Sequence, residues 1–435
     1  MVLHWFRRDL RLEDNAALAN AMATGQPVQP VFIFDTHILD RLEDAADARV
    51  SFIHQELTRL SQEIAVQGGK LWVVYGDPMV WHQTWAADAA IEGVFANRDY
   101  EPYAGRRDEA VARIYAQEGK WSKWSKDHVL MEPREVLKDD GTPYTVFTPY
   151  SRKWRTHFTP EHIQAYPTPT GGWNPQASSH TMPSLKDMGF EENTQKVPSR
   201  EIPATVLAAY EAKRNFPALP NGTTRLGVHL RFGTLSIRAL ARVAYPDHSK
   251  FLTELIWRDF YQMILKHFPD SPSKAIKPAY DRIMWESNET HFEAWCQGKT
   301  GYPLVDAGMR ELNATGFMHN RVRMVVASFL TKHLLLDWRL GEAYFASKLL
   351  DFDLASNVGG WQWASGSGCD AAPYFRIFNP ASQLEKFDKD LKYVKQWVPE
   401  YGLPEYPEPI VDHKQARERC LARYKEGLAS ASLGL

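Results

Sequence analysis

The first part of the chain alternates between short apolar runs and longer amphipathic stretches. Four runs, VLHWF, PVFIF, LWVVY and GVFAN, are each suited to a strand that is buried on both faces of a parallel sheet. Between them lie helical patterns such as RVSFIHQELTRLSQEIAVQGG, whose final Gly68 and Gly69 are typical of a helix end. This alternation predicts a doubly wound α/β domain with a parallel sheet over residues 1–130.

The pattern changes in the later parts of the chain. Residues 131–199 are rich in Pro, Gly, Ser and Thr and predict a long interdomain connector, whose aromatic residues Tyr150, Trp154 and Trp173 indicate that it packs against other parts of the protein. From residue 200, apolar residues recur at three- and four-residue spacing in FLTELIWRDFYQMILKHF and RVRMVVASFLTKHLLLDWRLGEAYFASKLL. We therefore expect a larger all-α domain over residues 200–435, which ends in the short tail ASASLGL.

Two common nucleotide-binding motifs are absent. The α/β part has no G-x-G-x-x-G sequence, so the usual dinucleotide fingerprint is missing. The segment GKTGYP contains Gly-Lys-Thr, but a phosphate loop needs a glycine five residues before Gly298, where this chain has Glu293. Any nucleotide would therefore bind through another arrangement of residues.

Composition and charge narrow the class of protein. The 435 residues include 15 tryptophans, which is a high number. The three cysteines are far apart in the sequence, and this spacing predicts a reduced, cytoplasmic protein without disulfides or a cysteine metal site. No apolar run is long enough to span a membrane, and the charged start MVLHWFRRDL is not a signal peptide. From Lys196 onward there are 31 Lys and Arg against 26 Asp and Glu. That excess fits either a polyanion such as DNA or chance scatter over a large surface.

The run DFDLASNVGGWQW, residues 351–363, carries the most distinctive chemistry. Asp353, Asn357 and Trp361 are four residues apart and would share one face of a helix, with Trp363 on roughly the opposite face. The glycine pair at 359–360 weakens a helix but permits close approach of a flat ligand or another backbone. The run therefore fits a planar, polar-edged cofactor, or alternatively two core tryptophans beside a loop.

Five motifs in order resemble the photolyase/cryptochrome family, most closely the class I cyclobutane pyrimidine dimer DNA photolyases. They are HWFRRDLRLEDN, ELIWRDFYQ, GKTGYPLVDAGMR, TGFMHNRVRM and GGWQWASGSGCDAAPYFRIFNP. The resemblance covers nearly the whole chain and is densest between residues 223 and 390. It implies a light-driven lyase in which reduced FAD donates an electron to a pyrimidine dimer in DNA.

The resemblance implies which residues bind FAD in the helical domain. Gly227 departs from the serine that many members have there, which removes one hydroxyl but keeps a backbone donor. Arg323 is implied to pair with Asp351, either beside the flavin or as a structural ion pair, or as both. The implied FAD-binding residues are Tyr210, Thr223, Thr224, Arg225, Leu226, Gly227, Arg258, Arg323, Asp351, Asp353 and Asn357.

The resemblance also implies catalytic and DNA-binding residues. Trp361, Trp338 and Trp285 match an electron relay from the flavin to solvent, although core packing alone would also explain buried tryptophans. Glu254 and Asn320 match groups that hydrogen-bond the dimer. The implied substrate- and DNA-binding residues are Arg214, Trp257, Asn320, Arg321, Met324, Trp363 and Arg376, of which the arginines could also lie on a solvated helix face.

A second, antenna chromophore is implied for many members. Folate-binding members carry Asn-Glu where this chain has Tyr103-Ala104, so we expect a deazaflavin or flavin, or none, in preference to a folate. We expect a monomer that acts on damaged DNA and does not bind membranes. Three alternatives remain open, namely a cryptochrome photoreceptor, a (6-4) photolyase, and a nucleotide-binding α/β enzyme with a helical appendage.

Overall fold

The computed structural model describes residues 1–175, 180–201 and 203–429. The chain forms two compact units built from interleaved segments. The first unit contains Met1–Val136, Trp154–Glu201 and Arg225–Asp259, and the second contains Leu137–Lys153, Ile202–Thr224 and Phe260–Leu435. The predicted division at residues 130 and 199 stays a prediction, and the end of the predicted tail, residues 430–435, lies outside the described residues.

The first unit is built on a five-stranded parallel sheet in the order β3-β2-β1-β4-β5. The strands are β1 (Val2–Phe6), β2 (Val28–Asp35), β3 (Trp72–Gly76), β4 (Gly93–Asn97) and β5 (Trp121–Ser125). The first four confirm the predicted strands. The apolar pattern did not predict β5, because WSKWS is an edge strand that buries only part of each side chain.

Helices follow the strands as the alternating pattern predicts. Gly68 and Gly69 come just after the end of α3, and Gly68 has a φ of 80°, which a glycine adopts without strain. These helices are α1 (Ala16–Met22), α2 (Thr36–Leu39), α3 (Ala48–Val66), α4 (Pro78–Ala87) and α5 (Pro102–Gln117). The doubly wound α/β fold is confirmed.

The predicted connector contains helix α6 (Phe147–His157) and two 3₁₀ turns, Pro160–Ile163 and Lys186–Met188. Its aromatic residues pack as predicted. Tyr150, Trp154 and Trp173 are at most 6% exposed, and the Trp173 backbone forms a parallel bridge with Val28 of β2. The connector is therefore a folded part of both compact units.

The rest of the chain is helical, as predicted. Up to residue 297 the helices are α7 (Ala204–Lys213), α8 (Gly227–Phe232), α9 (Ile237–Ala244), α10 (Ser249–His267) and α11 (Glu289–Gln297). Beyond them lie α12 (Pro303–Thr315), α13 (Asn320–Ser328), α14 (Trp338–Lys348), α15 (Leu354–Ser365), α16 (Pro380–Phe387), α17 (Lys392–Trp397) and α18 (His413–Ala429). A 3₁₀ turn covers Pro278–Arg282.

The helical pattern of residues 321–350 forms two helices with a break. After α13, the π-helical turn Phe329–His333 leads to Leu335, which has a φ of 54°. Asp337 then caps α14 by accepting a hydrogen bond from the backbone N–H of Arg339 at 3.0 Å. The residues around the break are as buried as those in the helices, so the apolar spacing does not reveal it.

Helix α15 packs closely against its neighbours because of two glycines. A Cβ atom on Gly359 would lie 2.2 Å from the Tyr261 ring, and one on Gly341 of α14 would lie 2.1 Å from the Trp361 ring. Neither position can carry a side chain without displacing an aromatic ring. Of the two glycines in the GGWQW motif, Gly359 therefore serves the close packing of α15.

Candidate functional site

Helix α15 begins one residue later than its four-residue spacing suggests. Asp353 is the N-cap, and its carboxylate accepts a hydrogen bond from the backbone N–H of Ser356 at 3.0 Å. Asp353 is therefore the cap of the helix that carries Asn357 and Trp361 and not a residue within it, although the Asn357 N–H donates to the Asp353 carbonyl at 2.8 Å. The physical reason is that a short carboxylate satisfies the free N–H groups at a helix start.

Polar side chains contact the start of α15. The Gln262 amide of α10 donates to both Asp353 carboxylate oxygens at 3.3 and 3.2 Å. Its own carbonyl oxygen, Oε1, is buried and has no hydrogen-bond partner among the described residues. A Cβ atom on Gly360 would meet nothing within 4 Å. A buried acceptor without a partner and an uncovered helix surface are features that a ligand-binding site presents.

Asn357 is held by a residue that the sequence did not indicate. Its amide nitrogen donates to the Glu342 backbone carbonyl at 3.1 Å and to the Glu342 carboxylate at 2.9 Å. Burial raises the pKa of Glu342 above its ordinary value. Because the amide nitrogen is engaged by Glu342, the orientation of the Asn357 amide oxygen is fixed.

Glu342 and Gln262 are the functional candidates that sequence reasoning missed. A weak signal existed for each. Glu342 follows Trp338 by four residues on α14, and Gln262 follows Arg258 by four residues on α10. Helical spacing alone does not show which of many polar residues at such positions faces a ligand.

The structure contains the predicted pair of Arg323 and Asp351. One guanidinium nitrogen donates to both carboxylate oxygens at 3.0 Å, and Nε donates to the Met318 carbonyl at 2.7 Å. The pair joins α13 to the segment before α15. Its role beside a flavin stays a prediction.

The predicted phosphate-binding residues lie on and near short helices. Tyr210 is buried on α7, and the Arg214 guanidinium lies 5.5 Å from the centroid of its ring. Helix α8 starts at Gly227, so Thr223 and Thr224 lie in the loop before it. Arg225 has a φ of 52°, and Leu226 is the N-cap of α8 without a side-chain cap bond.

Helix α10 carries three predicted residues in the first unit. Glu254 and Trp257 are half-buried and one turn apart. The Arg258 guanidinium bonds to the His128 backbone carbonyl and lies 2.8 and 2.6 Å from the two ring nitrogens of His128. Burial, followed by the charge of Arg258, lowers the pKa of His128 well below its ordinary value. These contacts show Arg258 holding the loop that follows β5.

The predicted relay tryptophans belong to one core cluster of the second unit. Trp361 and Trp338 are 2% and 1% exposed, whereas Trp285 is half-buried at the edge of the cluster. The Trp361 ring contacts Trp295 and Phe345, with ring centroids 6.0 and 5.0 Å apart. Trp285 is therefore the most exposed of the three, as an exit to solvent requires, and the relay itself stays a prediction.

The remaining predicted DNA contacts in the second unit differ in exposure. Asn320 is exposed at the start of α13, Met324 is half-buried one turn later, and Arg376 is exposed. The half-buried Trp363 lies 6.3 Å from Phe378 between ring centroids. Separately, the Arg321 guanidinium lies 4.4 Å from the centroid of the Phe387 ring and donates to Asn215 at 2.9 Å.

His319 is the N-cap of α13, where its Nδ1 accepts the Arg321 backbone N–H at 3.1 Å. It therefore precedes the helix that carries Asn320 and is not a residue within that helix. A ring nitrogen that accepts a backbone hydrogen bond is not protonated, so this contact favours a neutral imidazole.

The tyrosine expected to exclude a folate is held within the first unit. The Tyr103 hydroxyl donates to Asp35 at 2.7 Å, and the Arg107 guanidinium lies 5.5 Å from its ring centroid. Burial raises the pKa of Tyr103. The identity of any antenna chromophore stays a prediction.

Within the described ranges, no group of side chains has the composition of a metal site, and no helix has the length and apolar content to cross a membrane.

Comparisons with known proteins agree with this arrangement. The family model described as DNA photolyase matches residues 2–170, and the model described as FAD binding domain of DNA photolyase matches residues 251–404. The second match includes Gln262, Asp353, Asn357 and Gly360. These residues fit FAD, because the buried amide acceptor and the space beside Gly360 suit a flat, polar-edged ring. The chain therefore contains an FAD-binding domain.

Relatives and solved structures match over almost the whole chain. Deoxyribodipyrimidine photo-lyases of a Synechococcus strain and of Halobacterium salinarum are each 37% identical over 98% of this chain, which covers 96% and 99% of those proteins. A class III photolyase from Agrobacterium tumefaciens has a TM-score of 0.86 at 35% identity, with 98% and 97% of the two chains covered. The chain belongs to the DNA photolyase family.

Two further solved structures widen the comparison. An archaeal photolyase from Sulfolobus tokodaii, described with two FAD molecules, has a TM-score of 0.83 at 33% identity, covering 98% of this chain and 99% of that one. A cryptochrome from Synechocystis has a TM-score of 0.84 at 25% identity, with 97% and 98% covered. The shared fold thus serves both photolyases and a cryptochrome.

Proposed function

We propose that this protein repairs cyclobutane pyrimidine dimers in DNA by light-driven electron donation from reduced FAD. The observations that carry the proposal are that Gln262 Oε1 lacks a partner among the described residues and that a Cβ atom on Gly360 of α15 would meet nothing within 4 Å. Similarity to proteins named deoxyribodipyrimidine photo-lyase supports the substrate class.

The residues proposed to hold FAD are those of the second unit around α15. Asp353 and Gln262 form one hydrogen-bonded pair, Arg323 and Asp351 form another, and the Glu342 contact fixes the Asn357 amide. When bound and reduced, FAD supplies one electron on absorbing light. The protein's part is to exclude water, orient the ring and present Trp361, Trp338 and Trp285 as electron donors to the oxidised cofactor.

Ring opening of a cyclobutane dimer requires no general acid, and the proposed substrate residues suit that chemistry. The Asn320 amide can hydrogen-bond a base but cannot give up a proton near neutral pH. A (6-4) lesion needs a proton donor, and related enzymes place a histidine at the Asn320 position. His319 is engaged in helix capping, so it is a poor substitute.

Glu254 and Trp257, one turn apart on α10, are proposed to bind the extruded dimer. A half-buried indole offers a stacking surface for a base, and a carboxyl group one turn away can hydrogen-bond its edge. Met324 and Trp363 are likewise proposed to contact the lesion, and Arg214, Arg321 and Arg376 the DNA backbone.

A blue-light receptor role is the second candidate, because the cryptochrome from Synechocystis shares the fold at a TM-score of 0.84.

We further propose a cytoplasmic monomer, and an antenna chromophore, if one is bound, of the flavin or deazaflavin type. The archaeal structure with two FAD molecules supports a flavin antenna. Mass spectrometry of chromophores released after expression with folate and deazaflavin both available tests this, and stoichiometric folate would contradict it.

One experiment separates the three functions. Two oligonucleotides, one with a cyclobutane dimer and one with a (6-4) lesion, are illuminated with fully reduced enzyme, and restored pyrimidines are counted. We expect repair of the cyclobutane dimer only. Repair of the (6-4) lesion with an untouched cyclobutane dimer would overturn the substrate assignment, and repair of neither would favour a photoreceptor.

A further inference from the structure

The three relay indoles have different charge environments. Trp361 and Trp285 make aromatic contacts, with Trp295 and Tyr424 respectively at 6.0 Å between ring centroids. Trp338 alone among the three has a cation against its ring, since the Arg339 guanidinium carbon lies 4.7 Å from its centroid. This comparison covers the described residues, 1–175, 180–201 and 203–429.

Arg339 is fixed in position by contacts on several sides. Its Nη1 donates to Asp337 at 3.1 and 3.2 Å, its Nη2 donates to Asp281, and its Nε donates to the Ser273 carbonyl at 2.7 Å. The side chain is 30% exposed, and Trp338 beneath it is 1% exposed. A planar guanidinium held by several acceptors keeps its charge at one place relative to the indole.

We propose that Arg339 raises the oxidation potential of Trp338, so that the middle indole passes an electron hole outward and does not retain it. The inference rests on the proposed FAD function and its tryptophan relay. A fixed positive charge repels the positive charge that an indole acquires on oxidation. In the part of the chain that the structure describes, Trp361 and Trp285 have no such cation, so a positive charge is disfavoured specifically on the middle indole.

The electron count of the relay is simple. A bound, oxidised flavin would be the light-driven oxidant, and Trp361 would give it one electron. One electron then moves from Trp338 to oxidised Trp361, and one from Trp285 to oxidised Trp338. No atom or proton moves between the indoles, and a soluble thiol finally returns an electron to Trp285. Arg339 lies against the Trp338 ring and is argued to act through that ring, so it is a positioning residue.

The carboxylates that hold Arg339 act in the opposite direction. Asp281 and Asp337 are both negative and favour a positive charge on a nearby indole. Asp337 is unsuitable for a test because it also caps α14. Asp281 accepts the Ala275 backbone N–H at 3.1 and 3.0 Å, and Asp281→Asn keeps an oxygen acceptor while it removes the charge.

The test measures the lifetime of the tryptophan radical cation after a laser flash, in a Trp285→Phe background where the hole stops on Trp338. We expect Arg339→Met to lengthen the lifetime at least threefold. Without the cation, Trp338 is easier to oxidise, so the positive charge is more stable on Trp338 and moves back to Trp361 more slowly. Asp281→Asn should shorten it at least twofold. Arg339→Lys, which keeps a cation, should restore the lifetime to within twofold of the parent.

Arg310→Met is the matched control. Arg310 also pairs with a carboxylate, Glu400 at 2.6 Å, and donates to the Gly298 carbonyl at 3.0 Å, but no aromatic ring lies against it in the described chain. The proposal is overturned if Arg339→Met gives the lifetime of this control. It is also overturned if Arg339→Met and Asp281→Asn shift the lifetime in the same direction.

Flavin content and dimer repair after chemical reduction are measured on the same preparations. Absent flavin or absent repair in the unaltered protein contradicts the proposed function. Normal flavin and normal repair with unmoved lifetimes contradict only the role of Arg339.

Discussion

The buried charged cluster around Asp127 in the first unit is a closed hydrogen-bond network, whereas the Gln262 amide beside α15 in the second unit is only partly satisfied among the described residues. In the first unit the Asp127 carboxylate accepts from Arg11 at 2.8 and 2.7 Å and from Arg238 at 2.6 Å. Asp14 accepts from Arg238 at 2.8 Å and from the Ser236 hydroxyl at 2.6 Å. Beside α15, Gln262 Oε1 has no described partner.

A closed hydrogen-bond network is typical of a structural region, and an incomplete one is typical of a ligand-binding site. A closed network of buried charges holds segments together and has no remaining capacity for a ligand. An incomplete network is costly unless a bound group completes it. The comparison supports a structural role for the Asp127 cluster and the proposed cofactor role of the α15 surface, and each role can be tested.

The largest expected effect comes from breaking the closed network. Burial alone would raise the pKa of Asp127, but the charges of Arg11 and Arg238 hold it below its ordinary value. Asp127→Ala leaves these two buried guanidinium groups without this carboxylate, and we expect a loss of about 3–5 kcal/mol in the free energy of unfolding. Urea titration of both proteins measures it.

The control for this change is Asp247→Ala, an exposed carboxylate in the same unit, which should shift stability by about 0.5 kcal/mol or less. A loss below about 1 kcal/mol for Asp127→Ala would show that the cluster is not a main support of the first unit.

A second prediction concerns a carboxyl group whose hydrogen bonds do not outweigh its burial. Asp259 accepts from the backbone N–H groups of Leu130 and Met131 and from the Trp154 indole, yet burial raises its pKa to about 6. The folded state therefore keeps a proton that the unfolded state loses near its ordinary pKa of 3.8. The contribution of this bound proton to the free energy of unfolding is complete below pH 3.8 and is lost as the pH rises through 6.

Asp259→Asn should remove this dependence. The difference in unfolding free energy between the natural and Asn proteins should change between pH 4 and 6, by at most about 1.4 kcal/mol per pH unit, and stay flat above pH 7. Parallel stability curves for the two proteins would show that Asp259 does not titrate in that range.

A smaller effect is expected for substrate recognition. Trp257→Ala should weaken binding of dimer-containing DNA by about 1–3 kcal/mol, because it removes one stacking surface, and should leave binding of undamaged DNA nearly unchanged. Competition binding with both DNAs measures this. Trp124→Ala, which truncates a half-buried tryptophan on β5, is the control. Equal losses for the two DNAs would contradict a role in lesion recognition.

The sequence predicted the sheet, the helical half and the run that builds the site, because each depends on local periodicity. It missed β5, since WSKWS has no apolar run, and it placed Asp353 inside a helix that Asp353 caps. The weak helical-spacing signals did not single out Glu342 and Gln262, because their contacts with Asn357 and Asp353 join residues 15 and 91 positions apart. Such long-range pairing is set by packing.

The central claim is that the open surface of α15 is where FAD binds, and two glycines test it directly. Gly360 on α15 and Gly105 on α5 are both helical, and a Cβ atom on either would meet nothing within 4 Å. The measurement is the amount of photoreducible FAD per chain in purified Gly360→Leu and Gly105→Leu proteins. We predict less than about a tenth of the natural content for Gly360→Leu, because the leucine occupies the ligand space, and unchanged content for Gly105→Leu. Equal FAD content in the two variants would contradict the claim.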